Sequence, residues 1–327
     1  MKNKNADLIK IFLFYHKPYK LLCNNIFQPV LNGNGTSKLY KNRLKPLSIK
    51  DFPAGGGGKL NNSNYGELSG HYYILKHWLP EHNKIKYIGF GHYRRILAVT
   101  NTLQKLDSPV SDRKMQKLLK KTEESEILNF IENYDIILPE KFSFNCNIVQ
   151  QYCDSSHPLE DFEAAIKIIK ENYPEYIEAT EKYLNGNSGY YCLNFLMRKD
   201  LYIKCISWIF DILFKLEEER KEIWVNYTEY CNIRTPAYIA ERIINIWLIH
   251  NIEHYNLKVK ETRNIFLETE EVFLQHKPKT FKYFLKRFRL MLKYYLIDIH
   301  LRNTENVYSI KFIQNELLET LAYYRNN

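Results

Sequence analysis

The sequence predicts an α/β fold: an open mixed sheet flanked by helices, with a helical appendage at its C-terminal end. Short apolar, β-prone runs at residues 9–14, 86–90, 134–139 and 189–197 alternate with stretches whose apolar residues recur every three or four positions. The first and third runs stop at proline, Pro18 and Pro139, and the second at a polar segment, so ligand-binding residues are expected at the carboxyl ends of strands. From residue 256 onward the strand pattern is lost, and the expected division is 1–255 for the sheet domain and 256–327 for a basic helical extension. A chain of 327 residues is long enough to bury the core of such a unit.

Residues 9–14 read as a buried first strand followed by the polar loop Tyr15-His16-Lys17. Residues 32–64 are loop-like and contain Gly55 to Gly58, which fits either a flap over a ligand or a plain surface loop. Residues 64–78 have helical spacing, with Leu68, Tyr72, Leu75 and Trp78 on one face and Glu67 in the first turn. The second strand, 86–90, ends at Gly91-His92-Tyr93-Arg94-Arg95. Residues 111–133 and 157–184 are helical, the latter with Pro158, Glu160 and Asp161 in its first turn. A strand at 189–197, a helix at 199–222 and a helix at 237–250 complete the pattern, with Glu241 in the first turn or so of the last.

The formal charge of +10 favours anionic partners: nucleic acid, an anionic membrane surface or a phosphorylated small molecule. The six cysteines form no CxxC pair and no zinc spacing, so most of them read as small buried residues in a reducing compartment. No stretch approaches the roughly 20 apolar residues of a membrane span, and a cytoplasmic location is expected. P-loop, Rossmann, nucleophile-elbow and H-E-x-x-H signatures are absent.

Two adjacent arginines after a buried strand, Arg94 and Arg95, match a diphosphate in bidentate geometry. They equally fit one buried structural ion pair and one solvated arginine. Glu241 fits a general base beside a cleft or an ordinary helix carboxylate paired with Arg242. Glu67, His157 and Asp161 carry the same two readings.

The ordered set Tyr15-His16-Lys17, Asn64-Tyr65-Gly66-Glu67-Leu68, Tyr87 to Arg95, Asp135 to Pro139, His157 with Asp161, and Glu241-Arg242 resembles a bacterial family long catalogued as a domain of unknown function. That family is common in capsule and O-antigen clusters, and its members are regarded as glycosyltransferases, some of them galactofuranosyltransferases. The likeness covers residues 8 to 253, and His92-Tyr93-Arg94-Arg95 is its most specific element. Where a longer polar segment is usual, this chain has Pro53-Ala54 and four glycines.

The resemblance implies a GT-A-like fold and an inverting transfer from a nucleotide sugar, UDP-linked, to a growing capsule or O-antigen saccharide, which the basic tail at residues 277–302 suggests is lipid-linked. It puts Tyr15, His16, Lys17, Asn64, Glu67, His92, Tyr93, Arg94 and Arg95 at the donor and Tyr191 and Asn194 at the acceptor. Glu241 becomes the expected base, with Asp161 and His157 next. Where such enzymes usually hold a metal on an Asp-x-Asp motif, this chain has arginines. No cofactor is therefore expected to be required, a divalent metal being the less favoured alternative, and no metal ligands are assigned.

Residues 277–302 form a basic amphipathic pattern, with Lys277, Lys282, Lys286, Arg287, Arg289 and Lys293 interleaved with Phe281, Phe284, Phe288 and Leu292. It suits either an anionic membrane surface at the inner face of the plasma membrane or the catalytic domain. Nucleic-acid binding is a rival reading of the charge, but the basic excess sits in this tail and no nucleic-acid motif is present. An inactive scaffold in a polysaccharide assembly complex is a further alternative.

Overall fold

The computed structural model describes residues 8–16, 19–32, 47–49, 52–53, 59–60, 64–155 and 157–268. Lys17, the glycine run and the basic tail lie outside them. The main sheet comprises β1 (Ile9–Tyr15), β2 (Phe27–Asn32), β3 (Leu47–Ile49), β4 (Tyr87–His92), β5 (Arg95–Leu97), β6 (Val110–Ser111), β7 (Ile136–Pro139), β8 (Leu196–Arg198), β9 (Val259–Thr262) and β10 (Asn264–Glu268). Its order is β9-β7-β8-β4-β1-β2-β3, with β5 joining β4 to β10, which also pairs β6. β3, β2, β1 and β4 are parallel and β8 runs antiparallel between β4 and β7, so the sheet is mixed, as expected.

β1 is buried on both faces, which is why its run is apolar at every position but Lys10. Phe12 and Phe14 point into one core and Ile9, Ile11, Leu13 and Tyr15 into the other. The first core is covered by α1 (Leu68–Tyr73), α4 (Ile148–Asp154), α5 (Leu159–Asn172), α6 (Ile177–Asn185), α7 (Lys199–Trp224) and α8 (Thr235–His254). The second is covered by α2 (Asp112–Leu119) and α3 (Glu124–Ile131).

α1 lies close on β1 because Gly70 faces Phe14: a Cβ at that position would stand 2.2 Å from the Phe14 ring. The next residue, His71, is fully buried with its ring 4.1 Å from that of Phe90, and burial lowers its pKa to about 3. Polar pins fix the turn before the helix. Asn32, at the end of β2, donates to the Gly66 carbonyl at 2.8 Å and accepts from Ser69 Oγ at 2.7 Å.

Residues 189–197 do not form one strand. Only Leu196–Arg198 joins the sheet, because Cys192 and Leu193 adopt φ of 69° and 42°, a left-handed backbone that ends strand pairing. Asn245 of α8 takes the place of a neighbouring strand, accepting from Tyr190 N at 2.6 Å and donating to its carbonyl at 3.0 Å.

The expected boundary at 255 also falls inside the sheet. Residues 256–268 supply β9, parallel to β7, and β10, antiparallel to β5. β9 is a short, largely polar edge strand, and it therefore carries little apolar signal. α8 begins at Thr235, so Glu241 stands about two turns inside the helix, beyond the first turn where dipole stabilisation acts. Pro158 immediately precedes α5 and is not within its first turn.

Gly70→Ala forces its methyl into the Phe14 ring and should destabilise the fold by about 1–3 kcal/mol. Urea denaturation with an unchanged m-value is the expected readout; a neutral effect would mean that α1 can move off β1.

A candidate anion-binding site at the ends of β1 and β4

His92, Tyr93, Arg94 and Arg95 form a hairpin, not a loop leaving the sheet. His92 closes β4 and pairs with Arg95 of β5, leaving Tyr93 and Arg94 as the turn. Tyr93 is the anchor of that turn. It is buried, its N–H donates to the Phe14 carbonyl at 3.0 Å, and its ring stacks on Tyr19 at 4.5 Å. The Arg94 guanidinium lies over the Tyr93 ring, 5.0 Å from its centre. Arg95 Nη1 donates to the Cys192 sulfur. Burial pushes that thiol up to about 11, so it accepts as a neutral group at physiological pH.

Around this hairpin stand groups from three other elements. Glu67 comes from the turn before α1, Arg234 from the residue preceding α8, and Glu241 from α8 itself. Burial, reinforced by the nearby Glu241 charge and opposed by Arg95 and Arg234, raises the Glu67 pKa to about 8. His92 is held well below its ordinary value by burial and by the positive charges of His16, Arg95, Arg94 and Arg234. The imidazole is therefore neutral and Glu67 largely protonated at neutral pH. With one of two carboxyls uncharged among three guanidiniums, the cluster is suited to an anion.

The structure thus gathers His16, Glu67, His92, Arg94, Arg95 and Glu241, six of the residues expected from sequence. His16 is exposed at the end of β1, its Nε2 3.4 Å from the Tyr93 hydroxyl. Asn64 is half-buried in the turn before α1. Tyr15 is fully buried, and its hydroxyl accepts from Leu22 N at 3.0 Å, so it braces the loop after β1 from inside the core.

Asp161 is fully buried and spends both oxygens structurally, accepting from Arg220 Nε at 2.6 Å and the Tyr227 hydroxyl at 2.9 Å. His157 stacks on Tyr238 at 3.9 Å, and burial with the nearby Arg242 charge lowers its pKa to about 3. Tyr191 is buried with its hydroxyl 3.2 Å from that of Tyr183. Asn194 is buried, donates to Asn264 at 2.6 Å and leaves its Oδ1 without a partner.

Sequence reading missed Arg234 and Cys192. The only sequence cue to Arg234 is its place before the Thr235-Pro236 helix start. Nothing in the sequence marks Cys192, whose left-handed backbone is unusual for a residue other than glycine. Among the described residues no three His, Cys, Asp or Glu side chains converge as a metal-ligand group.

A family model described as "Domain of unknown function (DUF4422)" matches residues 10–252. The chain belongs to this family. No curated protein matches it. Among solved structures, the DUF4422 chain is similar to the one titled "WbbM bifunctional glycosytransferase apo structure", at a TM-score of 0.66 and 29% identity. The similarity covers 80% of this chain and 45% of the solved one, so the chain spans less than half the length of that protein. The mixed sheet with its flanking helices is thus a fold shared with a glycosyltransferase.

The Glu67 pKa of about 8 against an ordinary 4.5 fixes a pH dependence of stability. The folded protein keeps this proton where the unfolded chain has lost it, so the contribution is full below about pH 4.5 and is lost as pH rises through about 8. Glu67→Gln cannot ionise. Its melting temperature should match wild type near pH 5 and exceed it increasingly toward about pH 9. A difference independent of pH would show that Glu67 titrates normally.

Proposed function

We propose that this DUF4422 chain is a nucleotide-sugar-dependent glycosyltransferase whose donor diphosphate lies on Arg94 and Arg95. The observation that carries the reading is the arginine hairpin at the carboxyl end of β4, with Arg95 within electrostatic reach of both Glu67 and Glu241. The likeness to WbbM supports the reaction class, and the order of strands around β1 and β4 fits a GT-A-like arrangement.

In this reading the guanidiniums neutralise the charge that builds on the nucleoside diphosphate as it leaves, a task that a divalent metal performs in other enzymes. Glu241 removes the proton of the acceptor hydroxyl as its oxygen attacks the anomeric carbon in line, with inversion. Glu67, protonated beside it, donates a hydrogen bond to the donor. His157 lies on Tyr238, one helical turn from Glu241, and forms the acceptor side with Tyr191 and Asn194. The substrates are a UDP-linked sugar, galactofuranose among the candidates, and a lipid-linked capsule or O-antigen saccharide. No helix among the described residues is long and apolar enough to cross a membrane. Residues 277–302 would bring the enzyme to the inner face of the plasma membrane.

Arg94→Ala and Arg95→Ala should each weaken binding of uridine diphosphate about 10- to 100-fold, the value of a charge-assisted hydrogen-bonded contact. Glu241→Gln should leave that affinity intact and lower kcat about 10²- to 10⁴-fold. Titration calorimetry and a transfer assay read the two effects. Near-normal turnover by Glu241→Gln would clear Glu241, and activity abolished by EDTA and restored by manganese would contradict arginine as the main counter-charge.

A further inference from the structure

We propose that Arg234 is a third binding arginine of the same diphosphate site, held in place by the bare backbone of Gly66. This rests on the donor-site reading above and assigns a residue far from the hairpin in sequence.

Gly66 has φ of +53°, a left-handed conformation that glycine adopts without strain. Its carbonyl is fixed from the other side, accepting from Asn32 Nδ2 at 2.8 Å and Ser69 Oγ at 2.9 Å. A Cβ on Gly66 would stand 2.6 Å from Arg234 Nη2 and 3.5 Å from its Cζ. The guanidinium therefore occupies the space that any other residue at 66 would fill.

From that seat the charge of Arg234 acts on Glu67, the next residue, and on His92 at the end of β4. Arg94 and Arg95 act on the same imidazole. Three guanidiniums, from the β4 hairpin and from the start of α8, thus lie within electrostatic range of one ring. A diphosphate presents oxygens on two phosphorus atoms, more than one planar fork can engage, and donors arriving from two elements can hold both groups. Arg234 is half-buried. Beside it Thr235 is fully buried with its hydroxyl unpartnered.

The test is calorimetric titration of the full chain with uridine diphosphate and, separately, inorganic pyrophosphate, for wild type, Arg234→Ala, Arg234→Lys, Gly66→Ala and Arg95→Ala. Arg234→Ala should weaken both probes about 10- to 100-fold, and Arg234→Lys, which keeps the charge but loses the fork, should fall between it and wild type. Gly66→Ala should also weaken both, because its methyl displaces the guanidinium. Wild-type affinity in Arg234→Ala while Arg95→Ala loses binding would overturn the role of Arg234 and leave the donor site standing. Wild-type affinity in Arg95→Ala as well would overturn the donor site itself. Should Arg234→Ala fail to fold, Arg234→Lys decides: unchanged affinity for both probes overturns the proposal, and a loss of several-fold supports it.

Discussion

The parallel pairing of β1 with β4 is the contact on which the site depends. Its register runs from Ile9 beside Tyr87 to Phe14 beside His92, and it is held by the stacked rings of Phe12, Phe14 and Phe90 on one face. That register puts the end of β1 against the β4 hairpin, where the Phe14 carbonyl receives the Tyr93 N–H and His16 meets Tyr93. The same rings receive α1, whose Gly70 and His71 settle on Phe14 and Phe90. Glu67 reaches the arginines because a glycine three residues later lets the helix approach.

Charge is concentrated here against the usual preference of buried groups for neutrality. The site tolerates three guanidiniums because each has other support: Arg94 over the Tyr93 ring, Arg95 on the Cys192 thiol and near two carboxyls, and Arg234 in the space left by Gly66. Proton distribution does the rest. Glu67 keeps its proton and His92 loses its own, which removes one negative and one positive charge from the most buried part of the cluster. Elsewhere buried charge is closed on itself, as with Asp161 between Arg220 and Tyr227, which marks that carboxylate as structural.

Elements with strong apolar periodicity were legible in the sequence. β1, β7, α7 and α8 stand close to where pattern alone puts them, since their side chains are buried and leave a continuous signal. β9 and the stretch before β8 were not legible, for different reasons. β9 is a short edge strand with little buried area, and residues 190–195 are apolar but for Asn194 yet held by Asn245 and a left-handed turn in place of a sheet neighbour. β10 did carry a signal, the apolar run Ile265-Phe266-Leu267, but it lies beyond residue 255, where the strand pattern is lost in the sequence reading. In the site, the hairpin arginines were visible as an adjacent pair after a strand. Arg234 was not, because its place is set by Gly66, a contact between residues with no proximity in sequence.

A crystal structure of the full chain with uridine diphosphate tests the central claim most directly. The account predicts diphosphate oxygens within hydrogen-bonding distance of the Arg94 and Arg95 guanidiniums, beside Glu67 and Glu241. A nucleotide bound elsewhere, with the β4 hairpin untouched, would contradict it.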